Sequence, residues 1–361
     1  MTTPCEEMPP KKIPVHLPEL VKTAFNRACA SGDVNFYPTQ VALLTVNSLP
    51  FQLRFSPSLA NKPRNPLPPP PISAPPAAPA APAQKKFFNP FESPLKSMLV
   101  ATTPTHTVVL NKFAIVPEHF ILATTEFKPQ THLLEAEDLE AAWGCIEAYH
   151  AKEKEGEEGE LYVFFNSGPH SGASQPHRHL QLLPVSRMRD GLEAERIEWN
   201  VLANSLAEEE TRRRLPFQTF TRRIPPPAPF SRGAQLRGIY LELYREACCA
   251  GGVEAKEQTE GEAKISYNLA LTKRAMVLVP RVAEGGPVFE GAGEEGKKTV
   301  GKVALNGTVL AGTALVKTQE EWDALRKDPG QLGRVLGGIG VPWVEGEGKA
   351  QGFGREGGSL L

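Results

Sequence analysis

The sequence predicts an α+β protein of antiparallel strands with flanking helices, and three observations carry that prediction. Short apolar runs come in pairs around turn residues, the pattern of hairpins. Segments with helical spacing lie between those pairs. The plan of NKFAIVPEHFILAT (111–124), a polar Asn region, a short strand, a charged turn and an apolar strand, recurs in SYNLALTKRAMVLVPR (266–281), which suggests two related halves. Asn166 also precedes Gly172 by the same six residues that separate Asn306 from Gly312.

In chain order, Leu17, Leu20, Val21, Ala24 and Ala28 predict a helix over 17–31, stopped by Ser31-Gly32. Gln40 to Asn47 and Pro50 to Phe55 read as two strands around a turn. Arg64 to Lys86 is Pro/Ala low complexity, which buries too little apolar area to offset its ordering entropy, and reads as a disordered or polyproline insert. Thr107 to Leu110, Phe113 to Val116 and Phe120 to Thr124 read as strands, and Leu139 to Ala151 as a helix. Leu161 to Phe165 is a further apolar strand, and Gly191 to Leu215 is charged and helix-favouring. The Pro-rich RRIPPPAP (222–229) marks a boundary between an N-terminal half, 1–224, and a C-terminal half, 225–344. Within the second half, 235–251 is a helix and 265–272 and 275–279 are strands. Residues 282–301 read as a mobile Gly/Glu-rich loop. Strands at 303–305 and 311–316 and helices at 319–327 and 332–337 follow, then a disordered tail, 345–361.

Composition excludes several roles. Forty basic residues against 41 acidic ones give a formal charge of −1, so no global field draws the chain to nucleic acid or a membrane. The five cysteines, Cys5, Cys29, Cys145, Cys248 and Cys249, form no C-x-x-C pair and fit a reducing compartment. Residues 1–12 lack the apolar core of a signal peptide, and no apolar run approaches the roughly 18–20 residues that span a bilayer. A cytoplasmic, and also nuclear, location is the expectation.

The most informative stretch is NSGPHSGASQPHRHLQLLP (166–184). In a strand, alternate residues share a face, so His177, His179 and Gln181 would project together and Arg178 and Leu180 the other way. The Gly/Ser loop before them lets backbone N–H groups approach an anion. Three readings follow. The histidines could satisfy local hydrogen bonds in a strand. They could form a metal pair, although no partner motif supplies further ligands. Or a neutral imidazole could act as a nucleophile at phosphorus, with backbone N–H groups and lysines offsetting the anion.

His177-Arg178-His179-Leu180-Gln181 resembles the His-x-His-x-Gln motif of the histidine-triad superfamily in its transferase branch. Gln181 in the third position favours transfer over hydrolysis. Within that branch SPSLANKP (56–63), NPFESP (89–94), VVLNKFAIVPEHFILAT (108–124), YNLALTKRAMVLVPR (267–281), LNGTVLAGTALVK (305–317) and VLGGIGVP (335–342) resemble the diadenosine tetraphosphate (Ap4A) phosphorylases, also called ATP adenylyltransferases.

The resemblance implies two histidine-triad-like halves and double displacement at phosphorus. His179 would be the nucleophile and carry a covalent adenylyl group. Gln181 would hydrogen-bond the transferring phosphoryl group, and His177 would orient the site. It further implies nucleotide contacts from Lys62, Asn111, Lys112, Asn166, Gly172, Ala173, Ser174 and Gln175, and from Asn306, Gly307, Thr308, Thr313 and Lys317. The partners would be Ap4A, ATP, ADP and inorganic phosphate, with a divalent cation such as Mg2+ on the polyphosphate and no organic cofactor or resident metal. Two rivals are a sugar-phosphate uridylyltransferase and a nucleotide-binding sensor without turnover. Oligomeric state is left open by the sequence.

Overall fold

The computed structural model describes residues 12–58, 89–153, 159–192, 198–227, 231–291 and 298–343. Lys62, the Pro/Ala insert and the C-terminal tail lie outside them. Leu17–Ser31 form α1, with Leu17, Val21, Ala24 and Ala28 buried along one stripe, and Gly32 ends it in the left-handed conformation at φ 76°. β1 (Gln40–Val46) and β2 (Leu49–Phe55) make the expected hairpin, turning through Asn47 and Ser48 at positive φ.

The centre is an antiparallel sheet of eight strands. In chain order these are β3 (Leu99–Thr102), β4 (His106–Leu110), β5 (Phe120–Thr124), β6 (Leu161–Ser167), β7 (His179–Pro184), β8 (Phe220–Arg223), β9 (Ser266–Leu271) and β10 (Ala275–Arg281). Their spatial order is β3-β4-β5-β7-β6-β9-β10-β8, so the sheet runs without a break across residue 224. β11 (Gly285–Phe289) and β12 (Thr299–Ala304) form a separate hairpin, and β13 (Thr313–Val316) pairs in parallel with β2.

Both faces of the large sheet are covered, which is why its strands read as nearly continuous apolar runs. Leu161, Val163 and Phe165 of β6 join one core with α1, α2 (Ala136–Glu153) and, beyond the short α3 (Val185–Met188) and α4 (Glu209–Arg213), α5 (Arg232–Ala250). Tyr162 and Phe164 point the other way, into a second core shared with β2, β13, α6 (Gln319–Lys327) and α7 (Gly330–Gly337). A capping box starts α6: the Thr318 hydroxyl accepts from the Glu321 N–H, and the Glu321 carboxylate accepts from the Thr318 N–H.

Four expectations are corrected. Residues 113–116 are a turn, not a strand, because Asn111 Oδ1 accepts from the Phe113 N–H at 2.9 Å and the Asn111 N–H donates to the His119 carbonyl. Segment 111–124 is therefore a turn and one strand, whereas 266–281 is a full hairpin, so that part of the internal correspondence falls. In 191–215 the described residues hold a 3-10 turn (Leu202–Asn204) and α4, not one helix. Trp199, Val201, Leu202, Ala203 and Leu206 turn into the second core, so tertiary burial overrides the helix propensity of the charged stretch. Residues 282–301 contain β11 and the start of β12, because Val288 and Val303 are core residues. β3 was not expected at all.

The four cysteines among the described residues are free thiols. Among these residues no helix is long and apolar enough to cross a membrane.

Candidate active site

The register of β5 against β7 places the motif. Ala123 faces His179 and Ile121 faces Gln181, and directly paired residues share a face. His179 and Gln181 thus lie on the side of Ile121 and Ala123, which pack with Phe91 and Val109. Leu180 and Leu182 enter the opposite core, as strand alternation requires. β7 begins only at His179; His177 precedes it, held by an isolated bridge to Pro129.

Each imidazole has a defined tautomer. His179 Nδ1 lies 2.8 Å from the His177 carbonyl oxygen, which can only accept, so Nδ1 carries the proton. Nε2 then holds a lone pair, and no protein group described here hydrogen-bonds to it. His177 Nε2 is 2.8 Å from the Thr124 carbonyl and is likewise the protonated nitrogen. His177 Nδ1 accepts from the Asn89 amide at 3.0 Å, while Asn89 Oδ1 accepts from the Phe91 N–H. The Phe91 ring packs 5.1 Å from that of His179. Phe127, 58% exposed, stands 5.3 Å from the ring of His177.

Burial governs the ionisation of both histidines. His179 is 4% exposed, and desolvation pushes its pKa down to about 4 against the partial compensation of the His177 carbonyl. His177 is lowered too, chiefly by burial. Near neutral pH both rings are uncharged.

Arg178 anchors the other side of the motif. Its guanidinium donates to Glu135 at 2.8 Å and Asp138 at 2.9 Å, and Asp138 also accepts from His106 Nε2 at 3.0 Å. Burial raises the Asp138 pKa, but the His106 hydrogen bond and the Arg178 charge outweigh it and hold the carboxyl below its ordinary value. A cavity of about 500 Å³ borders Glu135 and Arg178 on this side of the sheet, away from the imidazoles.

The Gly/Ser loop lies against the C-terminal segment. Gly172 has φ +78°, and a Cβ there would stand 2.8 Å from Asn306 Cβ, so glycine is needed for both conformation and contact. Ala173 donates to Ser171 Oγ, Ser174 is exposed, and Gln175 Oε1 is buried without a partner. Asn166 Oδ1 accepts from the Gly307 N–H and from Asn268, each at 2.8 Å, so this oxygen is engaged in joining the halves. Asn306 Oδ1 accepts from the N–H and hydroxyl of Thr308 and caps the 3-10 turn Gly307–Ala311.

The remaining expected contacts do not converge on the histidines. Asn111 and Lys112 follow the far end of β4, roughly 13 Å along the strand direction from the His179 row at about 3.3 Å per residue. Lys112 is exposed, with its ammonium 6.0 Å from the Phe113 ring. Thr313 and Lys317 belong to β13 and its end in the other sheet; Thr313 is buried and Lys317 exposed.

Several functional positions escaped sequence reading. Asn89, Phe91 and Thr124 reach the histidines from outside the motif. Asn268 donates to Asn166 Oδ1 and to the Ser171 carbonyl, and accepts from Arg281. Arg281 also donates to the Ala283, Glu284 and Leu305 carbonyls at 3.0 Å, and burial lowers its pKa to about 10. Asn89 and Phe91 fall in NPFESP, Thr124 ends the block 108–124, and Asn268 and Arg281 fall in YNLALTKRAMVLVPR, so those blocks held a signal that the five-residue motif did not.

The family models that match this chain are those of a nucleotidyltransferase. Residues 8–198 match the family model of the Ap4A phosphorylase N-terminal domain, and residues 213–342 that of the ATP adenylyltransferase C-terminal domain. The chain belongs to the Ap4A phosphorylase family. It is 29% identical to diadenosine 5',5'''-P1,P4-tetraphosphate phosphorylase 2 of Saccharomyces cerevisiae over 73% of this chain and 78% of that protein. It is 25% identical to the Protein APA1 of the same yeast, over 93% and 97%. The crystal structure of yeast Ap4A phosphorylase Apa2 in complex with Ap4A shares the fold, with TM-score 0.65 and 24% identity over 90% of this chain and 97% of that one.

Proposed function

We propose that this chain cleaves Ap4A with inorganic phosphate to ATP and ADP, reversibly, through an adenylyl group carried on His179. The observation that carries this reading is the state of His179: Nδ1–H is tied to the His177 carbonyl and Nε2 is left as an unprotonated nucleophile. Nε2 attacks the α-phosphorus of Ap4A. The bond from that phosphorus to its bridging oxygen breaks, and ATP leaves with the oxygen. A phosphate oxygen then attacks the same phosphorus, the P–N bond breaks, and ADP leaves with His179 neutral again.

As Nε2 bonds to phosphorus the ring gains positive charge, which the His177 carbonyl stabilises through Nδ1–H. His177 is held by Thr124 and Asn89 and supports this carbonyl rather than attacking. Gln181 is partly exposed on the same face, where its amide can donate to the phosphoryl oxygen. The Gly172–Gln175 loop offers backbone N–H groups to the phosphates, with Asn306 to Thr308 adjoining it. Lys62, Lys112 and Lys317 are proposed only for the distal part of so long a substrate. Among the described residues no group of three or more His, Cys, Asp or Glu could hold a metal ion. Mg2+ would enter as part of the polyphosphate.

Phe127 is an exposed aromatic beside His177, and its ring can stack on adenine. Base–aromatic stacking contributes about 1–3 kcal/mol, so Phe127→Ala is expected to raise KM for Ap4A by about tenfold with kcat little changed, read by steady-state kinetics.

The test of the function is phosphate-dependent release of ATP and ADP from Ap4A. Incubation with labelled Ap4A without phosphate should leave adenylate on His179, found by mass spectrometry. Uridylyl exchange with a sugar phosphate, or binding without turnover, would overturn the reading.

A further inference from the structure

The ladder between β6 and β7 stops short of the nucleophile. Its rungs run from Leu161↔Pro184 to Phe164↔Gln181. Continuing that register would oppose Asn166 to His179, but Asn166 pairs with Asn268 of β9 and has no rung to His179. One side chain occupies the gap. Gln130 Oε1 accepts the His179 N–H at 2.7 Å, and Gln130 Nε2 donates to the Asn166 carbonyl at 2.8 Å and the His179 carbonyl at 3.2 Å. These are main-chain groups that a neighbouring strand would otherwise satisfy.

Gln130 is itself held rigidly. It is 3% exposed, and its own N–H donates to the Pro176 carbonyl at 2.8 Å. Two residues before it, the Lys128 carbonyl accepts from the Arg178 N–H at 2.7 Å. Residues 128–130 therefore run beside 176–178 as a short extra edge, and the Gln130 amide reaches from it into the opening between β6 and β7.

We propose that Gln130 is a positioning residue for His179: its amide replaces the missing rung and sets the backbone, and so the attacking Nε2, of the nucleophile. This rests on the proposed role of His179. Both polar atoms of Gln130 are engaged by main chain, so the residue acts through His179 and does not touch the substrate. Removing it should slow the chemical step and spare binding.

The test is Gln130→Glu. The new side chain has the same length. As a carboxylate it still accepts from His179 N–H, but it places an unprotonated oxygen against two carbonyls. Once protonated it regains a donor. A misplacement of about 1 Å can slow a reaction about 100-fold, and that is the loss in adenylation of His179 expected for Gln130→Glu at pH 8. KM for Ap4A should be unmoved. The loss should shrink to within about tenfold as the pH falls through the carboxyl pKa, which burial raises, whereas the wild type stays flat over this range because His179 titrates only near 4. Gln130→Met, which has no hydrogen bond to offer, should be slow at every pH with KM unmoved, and it carries the test if the glutamate variant does not fold at pH 8. A rise in KM with adenylation rate kept, or a glutamate variant whose loss does not vary with pH, would overturn the proposal. If the wild type forms no adduct on His179, the proposed function fails; if it does and neither variant slows it, only the role of Gln130 fails.

Discussion

His179→Ala is expected to lower Ap4A phosphorolysis by about 10⁴-fold or more and to abolish the labelled adduct, because loss of a covalent nucleophile commonly costs that much. His177→Ala should cost less, since it removes a ring that supports the backbone carbonyl but leaves the carbonyl itself. Equal loss in the two variants would point to a shared structural or metal-pair role. The wild-type kcat/KM for Ap4A should fall where Nε2 of the free enzyme becomes protonated, on acidification through about 4.

The same shift links to stability. The unfolded chain binds a proton at His179 near about 6.5, while the folded chain does so only near about 4. The unfolded state therefore takes up protons first, and stability falls as the pH drops across that window, by about 3 kcal/mol when complete. Above about 6.5 this histidine has no effect. Urea midpoints measured from pH 7 to 4 check the sign, and His179→Asn should reduce that slope, leaving the share of His177, whose pKa burial also lowers.

Asp138→Ala is the second large effect, a loss of about 3–5 kcal/mol of stability, because it leaves a buried guanidinium without its dry partner. Arg178 and Asp138 are 2% and 1% exposed, and His106 loses its acceptor in the same step. Glu135 remains but is 38% exposed beside the cavity, so its attraction is screened. The urea midpoint should drop with an unchanged m-value. Arg178 lies between the two histidines, so adenylation by the folded variant should also slow. The Asp138 pKa is lowered by folding, so its contribution is present above the ordinary carboxylate value of about 3.9 and is lost as pH falls through the lower folded value. Acid unfolding should thus have an upper stage from His179 and His177 and a lower one from Asp138, and Asp138→Asn should remove only the lower.

Local chemistry was legible wherever it stayed local. Gly32 ends α1 where the residue type demands. The expected strand at 113–116 failed because Asn111 captured the following N–H, a competition that apolar content conceals. The expected helix within 191–215 failed because burial of Trp199, Val201 and Leu202 in the second core overrode local propensity.

By itself the sequence determined the α+β class, most strand and helix positions, and which motif residues share a face. Those features follow from backbone periodicity, which each segment carries within itself. Tertiary structure alone decided that His179 is buried, that Asn89 and Thr124 hold His177, and that Gln130 bonds the main chain of His179. These depend on loops dozens of residues apart meeting at one strand end, and on the water excluded when they do. No local pattern encodes which distant amide will fill a gap in a ladder, because the gap exists only once the strands have parted.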